Sequence, residues 1–323
     1  MGDRRLVAPD WLGWTILGDI DGRGILAMAS EQTSEQTSEQ TMKSTTLWDR
    51  FLGSVLDPLL DREAMNRQFE RIDWQMEGDR LSTPGLVYPE YYRSQNFHGV
   101  EGGYLSAGAA VSYDPITQYV LPPNEDWVRE GVIEAVRSQP RRILDLGCGT
   151  GSTTLVLKRT FPQAQVVGLD LSPYMLVMAQ HKATAEGLKV DWRHGKAEET
   201  GFEENSFDLI SLSLLFHEMP PVVSEAVLRE CFRLLRVGGE VIVLDGSQES
   251  LRQTPWLMEV FEEPYIAEYA QGDVAAWMQQ AGFAKVETRT HWWIHQVTRG
   301  VKPLPGQDWI RDEFPLEGDM VFA

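Results

Sequence analysis

Short apolar segments alternate with helical patterns through the second half of the chain. Ile143, Leu144 and Leu146 form one such segment, and similar runs recur at 165–170, 189–193, 207–215 and 240–245, with two more at 285–290 and 292–298. Runs of this kind are typical of strands covered on both faces. Strands that alternate with helices predict an α/β fold: a doubly wound, mostly parallel sheet of seven strands with helices on both faces.

Helix boundaries follow from capping residues in the same region. Asn124 is predicted to cap one helix, Ser152 or Thr153 a second, and Ser172 a third that begins at Pro173. A long helix with apolar residues from 227 to 235 is expected to end at Gly238. Further helices are predicted over 255–269 and 273–281.

The first 121 residues follow different patterns. Residues 1–44 contain three Ser-Glu-Gln-Thr tetrads at 30–41, which cannot form a core, and are predicted to be a disordered leader. Apolar residues at helical spacing over 47–60 and from Met65 to Met76 predict an N-terminal helical cap over 45–121. Its aromatic, glycine-rich stretch from Tyr88 to Tyr113 either faces a substrate or packs the cap onto the main domain. The main domain is predicted over 122–300, with a tail over 301–323.

Composition narrows the possible partners. The chain has 29 Lys and Arg against 48 Asp and Glu, a net charge of −19, which disfavours nucleic acid as a partner. It lacks an apolar stretch of about 20 residues, so no integral membrane segment is expected. Cys148 and Cys231 are far apart and have no ligand partner at short spacing, which favours a reducing cytoplasm and predicts no metal site. The oligomeric state is left open.

The segment Asp145–Gly151 is the clearest chemical motif. Gly147, Gly149 and Gly151 follow a strand and precede a helix, as in the nucleotide-binding corner of doubly wound folds. A dinucleotide motif would have its third glycine where this chain has Ser152. Asp145 at the strand tip suits a ligand with a cationic amino-acid end better than a pyrophosphate.

Asp170 ends the second strand, about 20 residues beyond the glycine loop. A carboxylate there can accept hydrogen bonds from both ribose hydroxyls of an adenosine. Together the loop and Asp170 predict a site for an adenosine-containing ligand.

Asp145–Gly151 resembles the first motif of class I S-adenosylmethionine-dependent methyltransferases. Over about residues 105–300, the order of motifs is similar to the branch that contains ubiquinone and menaquinone C-methyltransferases; the segments concerned are 110–114, 195–198, 206–210, 216–220 and 235–239. The resemblance implies S-adenosylmethionine as cofactor and a Rossmann-like methyltransferase fold. The cofactor-binding residues that it implies, together with the motif reasoning, are Tyr113, Asp145, Gly147, Cys148, Gly149, Gly151, Asp170, Leu171, Ala197, Glu198 and Leu214.

One position departs from the family pattern. Lys196 stands where related enzymes commonly have Asp or Asn, which accept a hydrogen bond from the adenine amino group, and a lysine cannot accept one. Adenine recognition is therefore assigned to the backbone at Ala197 and to Glu198.

Two histidines are candidates for catalysis. Methyl transfer to a hydroxyl, phenol or acidic carbon requires a base, and His217, at the carboxyl end of the fourth strand, is the best-placed candidate. His98 in the cap is the second, and the alternative for both is a packed histidine that moves no proton. His291 and His295 are predicted to be structural or pocket-lining.

The sequence thus predicts a methyltransferase that modifies an oxygen or carbon atom of a small apolar or aromatic molecule. Two alternatives stay open: an NAD-dependent oxidoreductase, and a non-catalytic S-adenosylmethionine-binding regulatory protein. The acceptor itself is not determined.

Overall fold

The computed structural model describes residues 57–98, 100, 102–121, 123–261 and 263–305. The predicted leader 1–44 with its tetrads, the start of the first cap helix and the tail beyond 305 lie outside the described residues. Those predictions remain untested.

A seven-stranded sheet forms the centre of the described chain, in the order β3-β2-β1-β4-β5-β7-β6. β7 pairs antiparallel with both β5 and β6, and the other pairings are parallel. This arrangement confirms the predicted α/β fold. The strands are β1 Arg142–Leu146, β2 Gln165–Asp170, β3 Asp191–His194, β4 Phe207–Ser213, β5 Leu235–Gly246, β6 Ala284–His291 and β7 His295–Val301.

The order of the strands reverses at β1, which lies between β2 and β4. Leu144 of β1 is opposite Val167 on one side and Ile210 on the other, and it is fully buried. The reversal opens a crevice at the carboxyl ends of β1 and β4, which is where ligands bind in folds of this type. The glycine loop begins at this point.

Helices cover both faces of the sheet. Val128 and Val132 pack with Ile143 on one face, while Leu228 and Tyr269 belong to the apolar cluster on the other. The helices are α1 Arg62–Arg71, α2 Trp74–Leu81, α3 Glu90–Arg93, α4 Ala107–Val120, α5 Glu125–Ala135, α6 Ser152–Thr160, α7 Pro173–Ala185, α8 Pro221–Leu234, α9 Gln248–Gln253, α10 Pro255–Phe261, α11 Ile266–Gln271 and α12 Val274–Gln280, with short 3-10 turns at Asp57–Leu59 and Phe216–Glu218.

The cap is helical as predicted, but its helices are shorter. The pattern from Met65 to Met76 is divided between α1 and α2, because Ile72 is extended (φ −103°, ψ 127°) and Asp73 caps the new helix through its side chain. Met76 is exposed. The glycine-rich aromatic stretch is also more ordered than expected, since Tyr113 lies on the 14-residue helix α4.

Several predicted boundaries were wrong. The long helix α8 ends at Leu234 and β5 begins at once, so Gly238 lies inside a strand region. The 255–269 pattern forms two short helices, α10 and α11. Trp292 and Trp293 have φ of 48° and 60°, which places them in a turn before β7. Within the described residues, no helix combines the length and apolar character needed to cross a bilayer.

Candidate functional site

The glycine loop turns through a backbone conformation that favours glycine. Gly147 has φ 64°, and a Cβ there would lie 2.6 Å from Leu215 Cδ1. Gly149 has φ 53°, and a Cβ there would have no atom within 4 Å, so its outer side is open. The Cys148 N–H donates to the Leu169 carbonyl at 3.1 Å and joins the loop to β2. The loop therefore exposes its backbone to the crevice.

The helix cap after the loop differs from the prediction. Gly151, with φ 82°, is the N-cap of α6, and its lack of a side chain leaves no capping hydrogen bond of that kind. Ser152 is the first helical residue, and its hydroxyl accepts a hydrogen bond from Lys182 Nζ at 3.0 Å. The same lysine pairs with Asp114 at 2.7 Å, which links α7 to the cap helix α4.

Asp170 stands at the end of β2, beside the loop. Its Oδ2 accepts the Gly149 N–H at 2.7 Å and its Oδ1 accepts the Ser172 N–H at 2.8 Å. Burial raises its pKa from 3.8 to about 6, although the backbone N–H donors favour the ionised form. Each carboxylate oxygen retains acceptor capacity toward the crevice.

Asp145 has a different place from the one predicted. It is 1% exposed, and its two oxygens accept hydrogen bonds from the hydroxyls of Thr154 and Ser211, each at 2.6 Å. It does not line the crevice, so a direct contact with the amino-acid end of a ligand is not what the structure gives. Because side chains alternate along β1, the Asp145 side chain is directed toward α6. There it supports the glycine loop without lining the crevice.

A cavity that is partly open to solvent occupies the crevice. Of the predicted cofactor residues, those in the cavity wall are Tyr113, Gly147, Cys148, Gly149, Asp170, Leu171, Ala197 and Leu214. Asp145, Gly151 and Glu198 are not in the wall. Glu198 instead accepts a hydrogen bond from Tyr91, whose ring is in the wall.

Arg129 is a wall residue that the sequence reasoning missed. It lies on α5 and is 6% exposed. Its Nε donates to Glu125 Oε1 at 2.8 Å and its Nη1 to Thr153 Oγ1 at 2.8 Å. A guanidinium has five N–H donors, so further donors can reach an anionic ligand group. The sequence feature that could have identified Arg129 is its position next to Val128, on the apolar face of a predicted helix.

Aromatic rings and a carboxylate form another part of the cavity wall. Tyr91, Tyr92, Tyr104 and Tyr113 line it together with Glu218. Tyr104 donates to Glu218 Oε1 at 2.9 Å, and burial raises the pKa of Glu218. This part of the wall combines apolar surface with one acidic group.

His217 lies next to Glu218 and outside the cavity wall. Its Nδ1 is 2.6 Å from Asp245 Oδ1, and Asp245 also accepts the N–H groups of Leu215 and Phe216. Burial opposes protonation, but Asp245 raises the pKa of His217 to about 10.

His98 is brought to the same place from the cap. Its Nδ1 is 3.1 Å from the Phe261 carbonyl, and its backbone N–H donates to Glu263 at 2.8 Å. Loss of hydration and the neighbouring His217 lower the pKa of His98 to about 4. The structure therefore brings together the two predicted catalytic histidines. His291 and His295 lie outside the cavity wall.

Comparison with known proteins places the chain among methyltransferases. The model of the Methyltransferase domain family matches residues 143–239. The chain is 39% identical over 119 residues to a demethylmenaquinone methyltransferase of Thermus thermophilus, which covers 37% of this chain and 53% of that protein. It is 30% identical over 217 residues to a demethylmenaquinone methyltransferase of Bacillus cereus, which covers 59% of this chain and 91% of that protein.

The fold comparison agrees with the sequence comparison. Human N-acetylserotonin methyltransferase, in a crystal structure with SAM, superposes with a TM-score of 0.51 at 18% identity, covering 72% of this chain and 66% of that one. The match to the Thermus relative spans about half of that protein's length. The match to the Bacillus relative extends over nearly its whole length, at 30% identity. The chain therefore belongs to the class I S-adenosylmethionine-dependent methyltransferases and is related to the quinone methyltransferases among them.

Proposed function

We propose that this protein transfers a methyl group from S-adenosylmethionine to an oxygen or carbon atom of a small aromatic or quinone-like molecule. The proposal rests on one shared cavity. Its wall combines the glycine loop and Asp170 with tyrosine rings and Glu218. Cofactor and acceptor can therefore meet in one enclosure.

The residues around the glycine loop fit the cofactor. Asp170 is a wall carboxylate with acceptor capacity left for the ribose hydroxyls, and Gly149 leaves its outer side open. Arg129 supplies a buried positive charge for the ligand's carboxylate. The backbone at Ala197 and the side chains of Leu171 and Leu214 would enclose the adenine.

The chemistry asked of the protein is mainly positioning. When bound, the cofactor supplies an activated methyl group on a sulfonium, and transfer is an in-line displacement. The rings of Tyr91, Tyr92 and Tyr104 would hold a flat acceptor and exclude water, while Tyr113 would contact the cofactor. Glu218 lies in the cavity wall, and His217 and His98 lie beside it; both histidines remain our predicted catalytic residues.

The relatives' names support a quinone-like acceptor, because those proteins are described as demethylmenaquinone methyltransferases. The same comparisons favour S-adenosylmethionine over NAD. The acidic balance of 48 against 29 charged groups supports a small molecule rather than nucleic acid as substrate. A cytoplasmic location stays a prediction.

The test is a transfer assay with methyl-labelled S-adenosylmethionine. Purified protein is incubated with a short-chain reduced demethylmenaquinone and, separately, with a fractionated small-molecule extract. Label in an organic-extractable product, lost in the Asp170→Ala variant, supports the proposal. Calorimetric binding of S-adenosylmethionine with no labelled product from any fraction would instead favour the regulatory alternative.

A further inference from the structure

We infer that His98, His217 and Glu218 form a binding site for a divalent transition-metal ion beside the tyrosine-lined wall of the cavity. One nitrogen of each histidine and one oxygen of the glutamate lie within 4.8 Å of one another. His98 Nε2 is 3.8 Å from Glu218 Oε1. An ion with bonds of about 2.0–2.2 Å fits between them after small side-chain shifts.

Hydrogen bonds on the far side of each ring orient the ligand nitrogens. His217 faces the Asp245 carboxylate with Nδ1, and His98 faces the Phe261 carbonyl with Nδ1. A proton on each Nδ1 satisfies these acceptors and leaves each Nε2 with a lone pair. Metal-binding histidines almost always have such a carboxylate or carbonyl partner behind them.

With the proton of each ring on Nδ1, neither Nε2 has a hydrogen to donate toward Glu218, whose Oε1 accepts from Tyr104. Two Nε2 lone pairs and a carboxylate repel each other unless a cation or a proton lies among them. Glu263 adds a further buried acidic group, and its Oε2 has no hydrogen-bond partner among the described residues. The acidic side chains of Glu218, Asp245 and Glu263 therefore face two imidazoles, and a divalent ion would offset the charge of their ionised forms.

The donor set selects the class of ion. Two imidazole nitrogens and one carboxylate oxygen suit Zn²⁺, Fe²⁺, Co²⁺ or Mn²⁺ better than Ca²⁺ or Mg²⁺, which prefer oxygen ligands. Three protein ligands leave at least one coordination position open. The His98 side chain is 38% exposed, which provides an access route for the ion.

An open coordination position here has a consequence for the acceptor, and this consequence rests on the proposed function. Glu218 belongs both to the cluster and to the cavity wall. An ion held by it would bind a hydroxyl or carbonyl oxygen of the acceptor. The acceptor class would then be molecules with an oxygen on or next to the methylated atom, such as hydroxyquinones or catechols.

Cobalt binding tests the site without reference to activity. The full-length protein is stripped with a chelator, and Co²⁺ is added while its visible absorption is followed. We expect one ion per chain, displaced by Zn²⁺. His98→Gln and Glu218→Gln should each weaken binding at least tenfold. His181→Gln is the matched control, because His181 is half-exposed on α7 and pairs with Glu77, outside the cluster.

Two results would overturn the inference: no stoichiometric Co²⁺ binding by the wild-type protein, in which case only protons occupy the cluster, or binding that the His98 and Glu218 variants leave unchanged. Thermal melting of each variant shows that it is folded. S-adenosylmethionine affinity, measured calorimetrically on the same samples, should stay within twofold in His98→Gln. Loss of the metal site and loss of the cofactor site are thus separable.

Discussion

The carboxylate of Asp170 accepts the backbone N–H of Gly149 at 2.7 Å and so joins the end of β2 to the open side of the glycine loop. The two residues meet because β1 and β2 are parallel neighbours, which brings their carboxyl ends to the same edge of the sheet. One buried carboxylate therefore orders the loop and faces the cavity. Removal of the Asp170 carboxylate should therefore affect both the order of the loop and the binding of a ligand in the cavity.

Asp170→Ala should weaken S-adenosylmethionine binding by about 1.5–3 kcal/mol, the cost of losing hydrogen bonds to a charged group. Isothermal titration calorimetry measures the change. Near-UV circular dichroism should show that the fold is retained. Unchanged affinity would remove Asp170 from the ribose site.

Cofactor affinity should depend on pH through the same residue. Asp170 has its pKa raised from 3.8 to about 6 by burial, and only the ionised form accepts two hydroxyl donors. Affinity should therefore rise between pH 5 and 7 and then level off, while Asp170→Asn should bind weakly at every pH. A flat wild-type profile over this range would contradict the assignment.

The stability of the ligand-free protein should fall as the pH rises, opposite to the change in cofactor affinity. Because the folded pKa of Asp170 exceeds the unfolded value, the native state holds the proton more tightly. The contribution of Asp170 to the free energy of unfolding is present below pH 4 and is lost as the pH rises through about 6. Urea titrations at pH 4 and pH 7 give the free energies of unfolding of the wild type and of Asp170→Asn. The stability of the wild type relative to the variant should be greater at pH 4 than at pH 7.

Gly149→Ala and Gly187→Ala form a matched pair. Both glycines have positive φ, 53° and 67°, and a Cβ at either would meet no atom within 4 Å. Each substitution should cost about 1–2 kcal/mol of stability from backbone strain. Only Gly149→Ala should also weaken cofactor binding, because only Gly149 lines the cavity. Equal effects on binding would mean that the loop acts through stability alone.

Arg129→Met should destabilise the fold by about 3–5 kcal/mol, because it leaves Glu125 in a buried pair without its partner. The double variant Glu125→Gln with Arg129→Met should recover much of that stability, as measured by chemical denaturation. Cofactor affinity should stay low in both variants, since Arg129 supplies the charge in the cavity wall. Restored affinity in the double variant would show that Arg129 is structural only.

Tyr113→Ala should weaken cofactor binding by about 0.5–1.5 kcal/mol through loss of aromatic contact, whereas Tyr113→Phe should bind nearly as well as the wild type. Tyr119→Ala is the control, because Tyr119 lies on the same helix and is exposed. Calorimetry measures the S-adenosylmethionine affinity of all three variants. A fall in affinity for Tyr113→Phe would instead assign the role to the hydroxyl.

The strands, the glycine loop and the position of Asp170 could be predicted from the sequence. These features depend on neighbouring residues: an apolar run forms a buried strand, and glycines permit positive φ at Gly147 and Gly149. The boundaries that failed, such as the helix end at Leu234 and the break at Ile72, depend on contacts with other elements.

Which side chains face the cavity depends on the tertiary structure and could not be read from the sequence. Asp145 is directed away from it because strand alternation and the hydroxyls of Thr154 and Ser211 fix the carboxylate below the loop. Arg129 enters the wall because α5 packs beside the crevice. His98 and His217 come together from the cap and from the end of β4, two regions distant in sequence. Local spacing encodes backbone conformation, whereas the convergence of buried polar groups follows only from how the elements pack.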